Sequence, residues 1–425
     1  MTMVIFLVSL CAAMAIGVPI AFSLLFSGVC MMGYLDVFNC QIVAQNLMSG
    51  ADSFAMMAVP FFVLAGDLMN RGGLTKRIVN AAMAVVGHIR GGLGYVAILA
   101  SLLFASLVGS AVASTAALGA ILIPMMVDAG YDRNRSTALV ASSNLLAPIM
   151  PPSVPLIIFG VTAGVSISKL FMAGIAPAVY ISVALSVTWA LVVRKDKLTV
   201  LPRKSLKQVV KALVDALWAM MMPLIIIVGM RGGIFTPTEA GVVAVMYTLF
   251  IGVFVYKEIK FKDIFEALVS AAKMTSVIMF LAAAAMVSSW LMTIGNIPGI
   301  VSGILRPFIG HPIILMIIIN LVVILVGTAM DVNPTILILT PVLMPIVKEA
   351  GIDPVYFGLV FVINNVIGLL TPPVGTVLNV ACGAGKINME SIVKGIIPFF
   401  VVECSILLLL ILFPSLVLVP LGWLT

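Results

Sequence analysis

Charge is what this chain has least of. Asp, Glu, Lys and Arg together make up 9% of its 425 residues, while 63% are hydrophobic. So few polar residues cannot cover the surface of a soluble protein of this length, and a soluble fold is excluded. The short alternating segments of a membrane β-barrel are missing as well. Apolar stretches long enough to cross a bilayer, roughly 20 residues, recur from end to end instead. The reading is an all-α polytopic membrane protein with no soluble domain, because lipid offers backbone amides no hydrogen-bond partner outside a helix. Histidine is nearly absent: His88 and His311 stand far apart, and no HExxH, nor a GxSxG with a usable histidine, occurs. Hydrolytic and metal-protease chemistry is thereby set aside, and no enzyme is expected. The five cysteines, Cys11, Cys30, Cys40, Cys382 and Cys404, form no CxxC and no framework spacing. They read as small buried hydrophobes. The net charge of +7 is spread over loops and makes no footprint for nucleic acid. Residues 1–53 carry no Lys or Arg, so loop charge does not orient them. The apolar run 3–32 is too long for the core of a signal peptide and is expected to be a span of the mature chain.

Two stretches look like copies of each other. The first contains LVGS (107–110), PMMVDAG (124–130), SNLLAPIMPPS (143–153) and AGIAP (173–177). The second contains LVGT (325–328), PIVKEAG (345–351), NNVIGLLTPPV (364–374) and KGIIP (394–398). A constant offset of 221 residues places Pro124 on Pro345, Gly130 on Gly351, Asp132 on Asp353, Asn144 on Asn365, and Pro151 and Pro152 on Pro372 and Pro373. A gap of three residues brings LVGS onto LVGT. Paired interrupted segments in corresponding halves of a membrane chain point to a transporter site.

Basic residues orient the copies. Arg194, Lys195, Lys197, Arg203, Lys204, Lys207 and Lys211 form the densest cluster. Lys257, Lys260, Lys262 and Lys273 form a second, Arg71, Lys76, Arg77 and Arg90 a third, and Arg133 with Arg135 a fourth. All are expected on the cytoplasmic side. From Arg90 to Arg133 the chain must then return to the face it left. Segments 94–108 and 115–127 are short for full crossings, so a re-entrant hairpin with its tip at 109–115 is expected, followed by a helix crossing outward and broken at 148–153. The second copy, with its hairpin tip at 327–333 and a broken helix over 356–383, runs the other way. The pattern is an inverted-topology repeat.

A helix broken at membrane depth bares carbonyls at one end and amides at the other, and these attract cations and anions respectively. The double prolines supply the breaks, having no amide hydrogen and clashing with the preceding turn. Small polar residues crowd them. We expect one cation site per repeat, each between a tip and its facing break. The first would use Gly109, Ser110, Ser114, Asn144, Pro148 and Pro151, and the second Gly327, Thr328, Asp331, Asn365, Pro372, Gly375 and Thr376. Hydroxyl, amide and carbonyl oxygens suit a hard cation such as Na⁺. Asp331, an acid between long apolar runs, is a functional candidate by default, or else a cap for the helix opening near Pro334. Its counterpart region in the first copy carries the uncharged Ser114. The carboxylate of a cargo would bind through Ser114, Thr115, Ser153, Asp331, Thr376 and backbone amides. His88 and His311 are expected at the membrane edges, and Asp67 and Glu239 near the membrane boundaries.

At these residues the chain resembles the large membrane subunit of TRAP (tripartite ATP-independent periplasmic) transporters. The likeness spans essentially the whole chain, through PFFVLAGDLMNRGGLTKRIV (60–79), GGLGYVAILASLLFASLVGS (91–110), GGIFTPTEAGVVAV (232–245), DVNPTILILTPVLMPI (331–346) and LLTPPVGTVLNV (369–380). The opening and the first tip look more like the sialic-acid branch, and Ser114 departs from the acid that many relatives carry there. The resemblance implies an elevator-type fold of the ion-transporter superfamily with a fixed scaffold and a mobile transport domain. Residues 1–90 would form N-terminal scaffold helices, 91–195 the first transport repeat, 196–300 scaffold and arm helices, and 301–425 the second transport repeat. It also implies transport driven by Na⁺, with no other cofactor, in a multi-pass protein of the bacterial inner (cytoplasmic) membrane. A small four-helix membrane subunit and a periplasmic substrate-binding protein would be its partners, and sialic acid or a C4-dicarboxylate its cargo. A stand-alone carboxylate transporter of the same fold, coupled to a cation or to protons through Asp331, is the alternative.

Overall fold

The computed structural model describes residues 1–194, 196, 202–372 and 374–424. Lys195, Lys197 and Pro373 lie outside the described residues. Regular structure among the described residues is helical throughout. Among the described residues seven helices are long and apolar enough to cross a membrane, or eight if the bent pair Cys40–Ala51 and Ala55–Arg71 counts as one span.

The chain opens with α1 (Thr2–Ala15), α2 (Ile20–Leu35), α3 (Cys40–Ala51), α4 (Ala58–Arg71) and α5 (Leu74–Val86). The expected single span over 3–32 is in fact the hairpin α1–α2. Gly17 takes a left-handed φ of 86° and Pro19 caps α2, so the helix cannot continue through this point. The first repeat follows as α6 (Gly92–Val108), α7 (Ala111–Asp128), α8 (Arg133–Ser143), α9 (Val154–Ala163) and α10 (Ile167–Val192). Then come α11 (Leu206–Arg231), α12 (Pro237–Phe250, prolonged by a π-turn over Ile251–Val255), α13 (Phe261–Ile294) and α14 (Ile297–Leu305). The second repeat is α15 (Pro312–Gly327), α16 (Val332–Glu349), α17 (Pro354–Gly368), α18 (Thr376–Gly385) and α19 (Met389–Leu412), with α20 (Ser415–Leu424) closing the chain.

Helices α2, α3 and α4 pack around α13, α12 packs on α4, and α5 packs on α11. Helix α13 has 34 residues, about 51 Å at 1.5 Å per residue, and outreaches the ~30 Å apolar core of a bilayer. Lys262 and Glu266 form an i,i+4 pair on its first turns, and Glu266 also takes Arg71 at 2.7 Å.

The two repeats form the other half. Helix boundaries repeat at the same offset of 221: α7 and α16 both start one residue after a side-chain cap, and α8 and α17 start after Asp132 and Asp353. Asp132 accepts the Arg135 amide at 2.8 Å, and Asp353 accepts Val355 and Tyr356 at 2.8 Å. Gly130 and Gly351 end the preceding helices at φ of 89° and 68°. The gap of three falls at the hairpin turns: the turn is two residues, Gly109 and Ser110, against four, 328–331, and α15 runs one residue further than α6 by including Gly327, the match of Gly109. The two broken helices lie antiparallel. A Cβ on Gly385 would strike Thr137, while one on Gly358 would strike Phe159, so numbers rise along one helix as they fall along the other. Ser136 through Ser143 and Val355 through Gly368 are buried without interruption, as expected of helices enclosed on all sides.

The clusters read as cytoplasmic converge on one face. Arg90 donates to the carbonyls of Arg194 and Asp196 at 2.9 and 3.1 Å. Arg135 pairs with Asp196 at 3.1 Å, and Arg77 with Glu258 at 2.7 Å.

Candidate functional site

Each hairpin turn sits on the break of its own repeat. Gly109 ends α6 in the left-handed conformation (φ 65°), and a Cβ there would lie 2.9 Å from the Pro152 carbonyl oxygen. Only glycine both allows this turn and lets the tip approach so closely. Ser110 caps α7, accepting the Ala113 amide. The expected tip 109–115 is therefore shorter than the sequence suggested: Ser114 and Thr115 already belong to the first turns of α7. Both are fully buried, and neither hydroxyl has a hydrogen-bond partner. On the facing break Asn144 donates its side-chain amide to the Val140 carbonyl at 2.7 Å, and its oxygen accepts only a long 3.4 Å bond from Ser101. The break runs over 147–153. Ser153 closes it by donating to the Pro148 carbonyl at 2.5 Å and capping α9.

The second repeat builds the same contact differently. Gly327 and Gly368 meet backbone to backbone; a Cβ on Gly368 would lie 2.9 Å from the Gly327 main chain. The Val374 amide donates to the Thr328 carbonyl at 3.4 Å, joining break to tip. Asn365 repeats the geometry of Asn144: its amide donates to Phe361 at 2.8 Å, and its oxygen is buried with no partner. Thr376 opens α18 behind Gly375 (φ 44°), which offers no side-chain cap, and the Thr376 hydroxyl is unpartnered. Pro372 is exposed.

Asp331 caps α16, accepting the Val332 amide at 2.8 Å, so the capping reading of this acid holds. Its counterpart at the repeat offset is Ser110, also a cap, and not Ser114. Ser114 corresponds to Thr335, which donates to the Asp331 carbonyl at 2.9 Å. Capping leaves the carboxylate free to face a cavity of about 370 Å³, within the range of small-molecule sites. One wall is made of the tips and break: Gly109, Ser110, Pro148, Asp331 and Asn333. The other belongs to α4 and α13, with Asp67, Asn70 and Ser270 as its polar residues. Of the residues expected to hold a cargo carboxylate, Asp331 lines this cavity; Ser114, Thr115, Ser153 and Thr376 lie outside its lining. Asp67, Asn70 and Ser270 were missed as lining groups, while Asn333 belongs to the expected tip 327–333. The available signal was the i,i+3 spacing of Asp67 and Asn70 on one face of a helix that continues to Arg71.

Residues 7–416 match the family described as "Tripartite ATP-independent periplasmic transporter, DctM component". The chain belongs to this family. Among the relatives of this TRAP permease, the 2,3-diketo-L-gulonate TRAP transporter large permease protein YiaN of Escherichia coli is 51% identical over the full length of both chains. The sialic acid large permease SiaM of Vibrio cholerae is 37% identical, covering 94% of this chain and 93% of its own. The C4-dicarboxylate large permease DctM of Pseudomonas aeruginosa is 34% identical over 90% of each. All three are transporter permeases. The TRAP permease described here is accordingly a multi-pass protein of the bacterial inner membrane and one part of a three-part transporter.

The buried oxygens fit a hard cation. Asn365 Oδ1, Ser114 Oγ, Thr115 Oγ1, Asn333 Oδ1 and Thr376 Oγ1 are orphaned at or beside the tip–break contacts. Leaving one such group unpaired costs about 1–3 kcal/mol, and native interiors rarely leave several together.

Proposed function

We propose that this chain is the permease subunit of a Na⁺-coupled secondary transporter that imports a small organic acid anion by an elevator movement. One observation carries the reading. Asn144 and Asn365 stand at the same repeat position, each donates its side-chain amide to its own helix, and each leaves its buried oxygen with at most one long bond, 3.4 Å from Ser101 to Asn144 and none to Asn365. A fold needs no such duplication; two equivalent cation sites do. A bound Na⁺ would supply the positive charge that an anion needs beside Asp331. The tips then act as the residues that order. Gly109 and Gly327 hold them against the breaks, and the Asp331 and Ser110 caps fix the helix ends that face the cargo.

The elevator reading draws on the division of packing. The repeats form one body and α2, α3, α4, α12 and α13 another, with the cavity between them. The cavity meets α4 at Asp67 and Asn70, next to Arg71 and hence near the cytoplasmic end, which suits the release step. For the cargo, the identity across the whole chain favours a keto sugar acid of the 2,3-diketo-L-gulonate kind over sialic acid or a C4-dicarboxylate. A small four-helix membrane subunit and a periplasmic binding protein complete the assembly in this reading.

The test is uptake by proteoliposomes holding the permease and its small subunit, with loaded binding protein outside. Uptake is expected only with an inward Na⁺ gradient, and 2,3-diketo-L-gulonate is expected to outcompete the other acids. Equal uptake when K⁺ replaces Na⁺ sinks the coupling. Equal uptake without the binding protein restores the stand-alone alternative.

A further inference from the structure

Glu403 has no role in anything described so far. It lies 14 residues beyond Met389, about midway along the 24-residue α19, and is 2% exposed. Neither carboxyl oxygen has a hydrogen-bond partner. The Ser142 hydroxyl on α8 faces it without closing a hydrogen bond. Helix α19 packs on α8, α10, α15, α17, α18 and α20. The titratable groups on those elements are all engaged elsewhere or distant. Arg133 donates to the Gly385 carbonyl and Arg135 pairs with Asp196. Tyr180 donates to Leu416 and Tyr356 to Leu410. Lys169 is exposed at the start of α10 and Cys382 is on α18; α15 and α20 carry none. On α19 itself, Lys394 pairs with Glu390, and Cys404 is the next residue after Glu403. Among the described residues, then, no cation meets this carboxyl.

The fold does not require an acid here. At the repeat offset Glu403 corresponds to Ser182, whose hydroxyl bonds the Ala178 carbonyl of its own helix, and Ser142 corresponds to the apolar Ile363. An isolated carboxylate in an apolar interior costs far more than neutralising it, and ionisable groups at membrane depth are functional candidates. A hard metal cation takes about six oxygens. Here the neighbouring α8 and α19 are regular helices whose carbonyls are used by their own ladders, leaving one hydroxyl. A proton needs a single oxygen.

We propose that Glu403 is a proton-binding site, with Ser142 as acceptor of the acid's hydrogen bond, separate from the two cation sites. Ser142 is the penultimate residue of α8, two residues before Asn144 at the break, so the protonation of Glu403 is linked to the packing of the first broken helix. The proposal depends on the transport reading only for its functional consequence, and the experiment separates the two. Infrared difference spectra are recorded on the purified chain in lipid nanodiscs, wild type minus Glu403→Gln. The carbonyl stretch of a protonated carboxylic acid is expected at neutral pH and is expected to disappear on alkalinisation. In a second variant, Ser142→Ala, that band is expected to move to the frequency of a non-hydrogen-bonded acid, which keeps the test sound if Glu403→Gln does not fold. A difference spectrum showing only ionised carboxylate at neutral pH overturns the proposal. In the reconstituted three-part system, uptake by the wild type is expected to fall as pH rises, by up to about tenfold per unit beyond the titration point, while Glu403→Gln stays flat. A normal acid band in a chain that does not transport would count against the function and not against the proton site. Identical pH profiles for wild type and Glu403→Gln would overturn the linkage.

Discussion

Asn144 and Asn365 show how much a single side chain can be asked to do. Each amide NH₂ is satisfied by the carbonyl four residues back, at 2.7 and 2.8 Å. That bond contributes about 1 kcal/mol to folding. The oxygen, which contributes nothing to the helix, is the part available to a cation. Asn144→Ala and Asn365→Ala should therefore fold, and each should raise the Na⁺ concentration for half-maximal uptake about tenfold, the loss of ~1.4 kcal/mol of binding. Na⁺ titration of uptake checks it. Unchanged Na⁺ requirements in both variants would remove these residues from the coupling sites. At the same scale, Asp331 was legible in the sequence because an acid between apolar runs stands out. Asp67 was not. It pairs with Arg71 at 3.4 Å, so its charge merged with the boundary cluster, and only the packing of α4 on the tips turns it toward the cavity.

At the scale of elements, the doubled pattern was readable because proline, glycine and capping residues act locally. Pro151 and Pro152 break a helix wherever they stand, and Asp132 and Asp353 cap one. The antiparallel crossing of the broken helices could be inferred from loop charge alone. What was not readable was where a tip ends. The sequence offers Ser110, Ser114 and Asp331 as equivalent polar residues, and register is settled only by the helix start, which makes Ser110 and Asp331 the matching caps and sends Ser114 into the helix. The break at Gly17–Pro19 was lost in a continuous apolar run for the same reason: hydropathy is blind to a turn that the backbone conformation dictates. The tip–break contact itself gives a prediction. In Gly368→Ala a Cβ would lie 2.9 Å from the Gly327 backbone, forcing the second tip away. The cost should be about 1–3 kcal/mol, read as a lower unfolding temperature together with lost uptake. Gly303→Ala, where nothing lies within 4 Å, should leave both unchanged. Equal behaviour of the two variants would mean that the tip does not bear on the break.

For the whole molecule the question is whether the repeats move as a body past the helices around α13. The close approach of α4 to the first tip provides a handle. A Cβ on Gly66 would lie 3.3 Å from Val108 Cα, so the two backbones run side by side here and a cysteine pair can be tried as a cross-link. In the double variant Gly66→Cys, Val108→Cys, oxidation should join α4 to the end of α6 and fix the cavity beside Asp67 and Asn70. If the first repeat must slide along α4 to reach the other face, uptake driven by Na⁺ should fall to background on oxidation and return on reduction. Either single-cysteine variant should respond to neither treatment. The five native cysteines do not confuse the result, because the single variants carry them too. A fixed α4–α6 contact is also compatible with transport by local opening of the tips alone, since Gly109 and Ser110 lie beyond the cross-link. A cross-linked chain that imports at the rate of the reduced one would therefore assign the motion to the hairpin turns and would remove the elevator from the cycle.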